Sequence, residues 1–178
     1  MKTRAVLLAL FAGLASASAT AADQTLTFAG LEPVRIGMTV PDAERALGAK
    51  LKPLDKGDGI SRDVCWLTER ADGASPWLTY MVQNGRIVRI DIWQDTADAP
   101  AVATDAGVRI GTTEASILEK YGARLQPEGH TNLGAAGHYA TVRADNGKYG
   151  LLFETANGRV VNMRSGTFDA IALTETCL

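Results

Sequence analysis

The sequence predicts an α+β fold of two tandem repeats, each a short helical segment packed on an antiparallel meander of about three strands, with the meanders sharing one twisted sheet. Three observations predict it. Val34-Arg35-Ile36-Gly37-Met38-Thr39 returns as Val108-Arg109-Ile110-Gly111-Thr112-Thr113, an offset of 74, and nine of the twenty positions from Val34 to Pro53 are identical at that offset. Asn84-Gly85-Arg86-Ile87-Val88 returns as Asn157-Gly158-Arg159-Val160-Val161 at an offset of 73. The first block carries the punctuation of a helix and the second that of a hairpin, so one supersecondary unit is written twice.

Each unit opens with a helix of two to three turns. Thr39 and Thr113 are placed as N-caps, where a hydroxyl takes a free amide of the first turn and Asp42 or Glu114 meets the positive end of the helix dipole. Pro41 fits the first turn, and Gly48 and Gly122 stand where a left-handed residue would end the helix. Strands follow over Val64–Thr68, Trp77–Val82 and Arg86–Trp93, and again over Tyr139–Arg143, Gly150–Thr155 and Arg159–Ser165. Asn84-Gly85 and Asn157-Gly158 join the last two strands of each set, since this dipeptide accepts the positive φ angles of a tight hairpin. Gln94 to Ala106, with Ala, Asp and Pro prominent, reads as the connector between a first repeat over residues 23–98 and a second over 99–178.

Strand alternation separates two faces. Leu78, Tyr80, Val88, Ile90 and Ile92 share parity with Leu151, Phe153, Val161 and Met163, an apolar face for the helices. The other face carries Trp77, Thr79, Met81, Ile87, Arg89, Asp91 and Trp93, with Leu152, Glu154, Val160, Asn162 and Arg164 from the second copy. Trp66 aligns with Tyr139 and Tyr80 with Phe153, which keeps aromatic bulk in both copies and marks packing. Trp77 and Trp93 align with Gly150 and Gly166, so the unit itself does not need those rings. Trp and Arg on a solvent-facing patch dominate binding hot spots.

The chain has 178 residues, 46% hydrophobic and 21% charged, the proportions of an ordinary globular protein. Its first residues read as a secretory leader over 1–22: Lys2 and Arg4, an apolar run from Ala5 to Leu14, then small residues with cleavage between Ala19 and Ala22. Cleavage moves the tally from 18 cations against 20 anions to 16 against 20, and the formal charge from -2 to -4. The run is too short to span a bilayer, and no Cys near the leader offers a lipid attachment, so a periplasmic or secreted protein without a membrane anchor is expected. In that oxidising compartment Cys65 and Cys177 are expected to pair, closing a loop whose entropy corresponds to about 4 to 5 kcal/mol.

Chemistry is thin. No nucleophile elbow, phosphate loop, His-Glu-x-x-His or calcium loop occurs, and neither a cofactor nor a bound metal is expected. His130 and His138 flank Gly134-Ala135-Ala136-Gly137, and Asp91, Asp95 and Asp98 cluster without a ligand loop. The acidic balance and the lack of basic runs disfavour nucleic acid and anionic membrane.

The Ile36-Gly37-Met38-Thr39 block, followed by a helix ending in Leu47-Gly48, resembles the repeat unit of the SmpA/BamE-type outer-membrane assembly lipoproteins and of the beta-lactamase inhibitory proteins. Two tandem units are similar to the inhibitory proteins in particular, which implies helices packed on small antiparallel sheets whose concave aromatic face grips another protein. The departures are the absent lipidated Cys and a disulfide that joins the repeats rather than closing each one. A terminal Glu175-Thr176-Cys177 also resembles secreted bacterial proteins of unassigned function.

The expected function is therefore an exported, non-enzymatic binding protein, inhibitor-like or a scaffold, recognising another envelope or secreted protein through an open sheet face around Trp77, Met81, Arg89, Asp91, Trp93 and Arg164. Two alternatives stay open: a small-ligand site or enzyme near His130, His138 and Tyr139, and a structural envelope protein without a specific soluble partner.

Overall fold

The computed structural model describes residues 24–54, 64–93, 102–173 and 177. The leader, most of the connector, Asp95 and Asp98 lie outside the described residues. In chain order the elements are β1 (Gln24–Thr27), β2 (Gly30–Leu31), β3 (Val34–Arg35), α1 (Val40–Leu47), β4 (Leu51–Pro53), β5 (Cys65–Arg70), β6 (Leu78–Gln83), β7 (Arg86–Trp93), β8 (Val102–Thr104), α2 (Glu114–Tyr121), β9 (Leu125–His130), β10 (Gly134–Arg143), β11 (Tyr149–Ala156), β12 (Arg159–Thr167) and α3 (Phe168–Ile171). The fold is α+β, mostly sheet with few helices.

The two hairpins organise it. Asn84 and Gly85 have φ of 49° and 72°, and Asn157 and Gly158 of 50° and 74°, the paired positive angles of a tight turn whose twist matches its strands. The Ile-Gly-x-Thr block then docks on each hairpin. Gly37 N donates to Ile87 O at 2.7 Å and Ile87 N to Met38 O at 2.8 Å, while Gly111 N donates to Val160 O at 2.8 Å and Val160 N to Thr112 O at 2.9 Å. Arg86 and Arg159 reach back to the carbonyls of Gly37 and Gly111 at 2.8 and 2.9 Å. Both helices start at their threonine caps, whose hydroxyls accept from Asp42 N and Ser116 N at 3.3 Å. Gly48 ends α1 in the left-handed region, but Gly122 (φ 55°, ψ -133°) instead leads into a 3-10 turn over Gly122–Arg124.

The expectation of one sheet is corrected: there are two. A four-stranded sheet runs β3-β2-β1-β8, with β8 parallel to β1, and an eight-stranded antiparallel sheet runs β4-β5-β6-β7-β12-β11-β10-β9. The segment expected as a connector thus contributes strand β8. Within the large sheet β7 and β12 meet through Ile90↔Ser165 and Asp91↔Arg164.

The main core lies between the helices, the small sheet and one face of the large sheet, and includes Leu26, Val34, Ala43, Tyr80, Ile90, Ile117, Leu151, Phe153 and Met163. Two β-bulges alter the expected facing. Met81 pairs with Arg89 but Val82 with Ile87, and Glu154 pairs with Asn162 but Thr155 with Val160, so Val88 and Val161 are extra residues. A bulge reverses parity beyond it. Ile87 and Val160 therefore enter the main core, and Val88 packs against the cluster of Cys65, Met81, Ala170 and Cys177 on the other side.

Candidate functional site

The face opposite the helices was expected to be open, and its centre is covered. The Cys65–Cys177 disulfide has formed across 112 residues with the Cα atoms 5.6 Å apart, and it brings the end of the chain over the sheet. Ile171 of α3, fully buried, seats against Gly150 and Gly166: a Cβ on Gly150 would run into Ile171 Cδ1, and one on Gly166 would stand 2.5 Å from Val88 O. The exchange of Trp for Gly is thus what admits the segment, a signal present in the sequence as two facing glycines.

Beneath the segment, strand register strings charges across the sheet. Arg89 Nε donates to Asp91 Oδ2 at 2.8 Å, and Asp91 Oδ1 faces Arg164 Nε at 3.0 Å as an ion pair, while that Nε donates to Asn162 Oδ1 at 3.1 Å. Arg164 Nη2 donates to Glu154 Oε2 at 3.0 Å, and Glu154 Oε1 meets His130 Nε2 at 3.0 Å. His130 Nδ1 accepts from the amides of Asn132 and Leu133 at 3.1 and 3.3 Å, which assigns the ring proton to Nε2 and makes it the donor to Glu154. Burial pulls the Arg164 guanidinium below its ordinary value and the neighbouring Arg89 acts the same way, opposed by Asp91 and Glu154.

The partner residues expected from sequence therefore scatter. Met81, Arg89, Asp91 and Arg164 are buried beneath the chain's own end. Trp77 precedes β6, escapes its alternation and joins the main core. Trp93 alone of the six keeps a substantial exposed area, 39%, and its Nε1 donates to Thr79 Oγ1 at 3.3 Å.

The two histidines do not converge. His130 stacks on Tyr139 at 4.5 Å on the polar face. His138, one residue earlier, points to the helix face, where its Nδ1 donates to Glu114 Oε1 at 2.9 Å and its backbone N donates to Thr155 Oγ1 at 2.9 Å. The Thr155 hydroxyl also donates to Glu114 Oε1. Hydrogen bonding from Thr155, then from His138, holds the Glu114 carboxyl below its ordinary value. Both contacts use Oε1, so Oε2 keeps acceptor capacity. Glu114 and His138, with Thr155 buried behind them, stand at a half-open cleft of about 270 Å³ between α2 and strands β9 and β10, walled by Ala115, Ile117, Leu118, Leu125, Pro127 and Ala140.

Register identifies the same positions in the first half. Val40 N donates to Gly85 O as Glu114 N does to Gly158 O, and Leu67 pairs with Met81 as Tyr139 does with Glu154. The counterparts of Glu114, His138 and Thr155 are thus Val40, Trp66 and Val82, which all pack on the core. Aligning Trp66 with Tyr139 at an offset of 73 is one residue out in these strands, which hid the correspondence.

The chain matches no protein-family model, no curated protein and no solved structure. Its disulfide belongs to an oxidising, non-cytoplasmic environment. Among the described residues no helix is long and apolar enough to cross a membrane, and no three metal-binding side chains converge.

Proposed function

We propose that this chain is an exported, non-enzymatic binding protein built by duplication, and that it recognises another envelope or secreted protein through the cleft beside α2. The observation that carries this reading is the replacement of the apolar trio Val40, Trp66 and Val82 by Glu114, His138 and Thr155 at equivalent positions, one at the start of the helix and two in the sheet. A fold that is satisfied by hydrophobic packing in one half has no structural need for a carboxylate, an imidazole and a hydroxyl in the other.

The dimensions favour an anchor pocket for a partner's side chain. Small-molecule sites run from roughly 300 to 1,000 Å³ and enclose most of their ligand, whereas this cleft holds about 270 Å³ and is half open. Apolar walls ending in an ionised carboxylate fit an apolar side chain flanked by a cationic one, in keeping with the chain's acidic balance. Strand addition is disfavoured, because both edges of the large sheet carry proline, Pro53 on β4 and Pro127 on β9. The resemblance to the inhibitory proteins agrees with protein recognition in general, though on a different surface from their concave face.

A photoreactive residue at Leu118, which is 58% exposed on the cleft rim, tests the reading in the envelope. The expected result is one discrete adduct that disappears when Ala115→Trp fills the cleft. An adduct indifferent to that substitution, the same adduct from a probe at Arg109, or none at all would overturn it.

A further inference from the structure

We infer, on the reading that the cleft beside α2 is an anchor pocket, that the side chain it takes is a lysine, with its alkyl stem against the apolar walls and its ammonium on Glu114. One residue then supplies both the apolar and the cationic group that the cleft calls for.

The polar side chains at the cleft offer acceptors. Glu114 Oε1 already takes two hydrogen bonds, from His138 Nδ1 at 2.9 Å and from the Thr155 hydroxyl, which fills its lone pairs. Those donors stand on β10 and β11, so anchoring Oε1 to them turns Oε2, which diverges from the same carbon, away from the sheet. Oε2 receives no hydrogen bond from a described residue. An ionised carboxylate can only accept, which assigns the ring proton of His138 to Nδ1 and leaves a lone pair on Nε2. An anion finds little to hold: of the first-turn amides of α2, Glu114 N is bonded to Gly158 O at 3.1 Å and Ser116 N to Thr113 Oγ1 at 3.3 Å, and the Glu114 charge repels it. On the opposite face of the sheet the charged groups are taken by the chain's own end, where Arg89 Nη1 donates to Ala170 O and Leu173 O and Arg164 Nη1 to Leu173 O, each at 3.0 Å.

The free oxygen also selects among cations. A guanidinium gains its advantage from a planar fork that meets both oxygens of one carboxylate, and here Oε1 is occupied. An ammonium is a compact charge whose three rotatable donors need only one oxygen. Its stem covers apolar surface while the charged end stays near water. That shape suits a cleft walled by Ile117, Leu118, Leu125 and Pro127 beside a carboxylate side chain that is 35% exposed.

An NMR titration of the whole oxidised chain tests this, with Nα-acetyl-lysine methylamide and its arginine and norleucine counterparts as probes, read on the methyl groups of Leu118 and Ala115. The lysine compound is expected to bind about fivefold tighter than either of the others, the size of a half-exposed ion pair. Glu114→Gln keeps an acceptor for Thr155 and His138, and is expected to bring lysine down to the norleucine value and leave norleucine unmoved. Arginine as tight as lysine would overturn the lysine assignment while leaving a cation in the cleft. Norleucine as tight as lysine would overturn it by removing Glu114 from the contact, and methyl groups that respond to none of the three would overturn it outright. The anchor-pocket reading fails separately, when the Leu118 photoadduct is indifferent to Ala115→Trp.

Discussion

The two halves of the large sheet use the same backbone devices around different side chains. Both have a threonine-capped helix, an Asn-Gly turn, an arginine returning to the Ile-Gly carbonyl and a valine bulge. In the first half Val40, Trp66 and Val82 are core, and Trp77 and Trp93 stand where the second half has Gly150 and Gly166. In the second half one face carries Glu114 and His138 at a cleft with Thr155 buried behind them, and the other is hollowed to receive the end of the chain. The contrast teaches that turn and cap positions are constrained by backbone geometry, whereas the side chains between them were free to take separate tasks.

The halves meet where their difference has the largest energetic consequence. The offset of 73 that relates the two hairpin turns also relates Asp91 to Arg164, and these two face each other across the seam. Were the same charged residue present at both positions, like charges would meet in a buried site. Opposite charges instead favour this pairing of one half with the other. Asp91→Asn keeps the shape and removes the anion between Arg89 and Arg164, and the expected cost is about 3 to 5 kcal/mol because two buried cations lose their compensation. Urea unfolding measures it, and a loss below about 1 kcal/mol would show that the carbonyls of the C-terminal segment suffice for both arginines.

Legibility follows from how many residues a signal spans. The helices, hairpins and disulfide were readable because caps, Asn-Gly pairs and a lone pair of cysteines each have a specific physical cause. The facing of Ile87 and Val88 was not, since a one-residue bulge between two apolar β-branched side chains leaves no mark on the pattern. Strands β2 and β3, of two residues each, are too short to show alternation. The candidate site was half visible: His138 was noted, but its partners Glu114 and Thr155 are 24 and 17 residues away and were read as a helix-start anion and a strand residue. The C-terminal seat escaped because α3 is a single turn without periodicity.

The glycine slot sharpens the comparison at intermediate cost. A Cβ on Gly166 would stand 2.5 Å from Val88 O and 3.0 Å from Arg89 Cα, both backbone, whereas on Gly150 its closest neighbour is the mobile tip of Ile171. Gly166→Ala is therefore expected to cost about 1 to 3 kcal/mol and Gly150→Ala less, since only the second clash can be relieved by a rotamer. Thermal unfolding of the two variants gives the order, and equal losses would mean that the segment is no more tightly fitted than the strand beside it.

The smallest effect tests the polar trio. Thr155→Val installs the residue found at the first-half position, Val82, and removes the largest influence that lowers the Glu114 carboxyl. Carboxyl NMR is expected to show Glu114 titrating closer to the ordinary 4.5. The stability consequence has a definite sign. A carboxyl lowered in the folded state contributes stability above its unfolded value that is lost as pH falls through its folded value. Wild type is thus expected to exceed Glu114→Gln in melting temperature above roughly pH 4.5, with the gap closing at lower pH and shrinking in salt, because the Glu114 side chain is 35% exposed. A gap that persists unchanged to pH 2 would locate the benefit in packing of the side chain, and the second half would then differ from the first in shape rather than in charge.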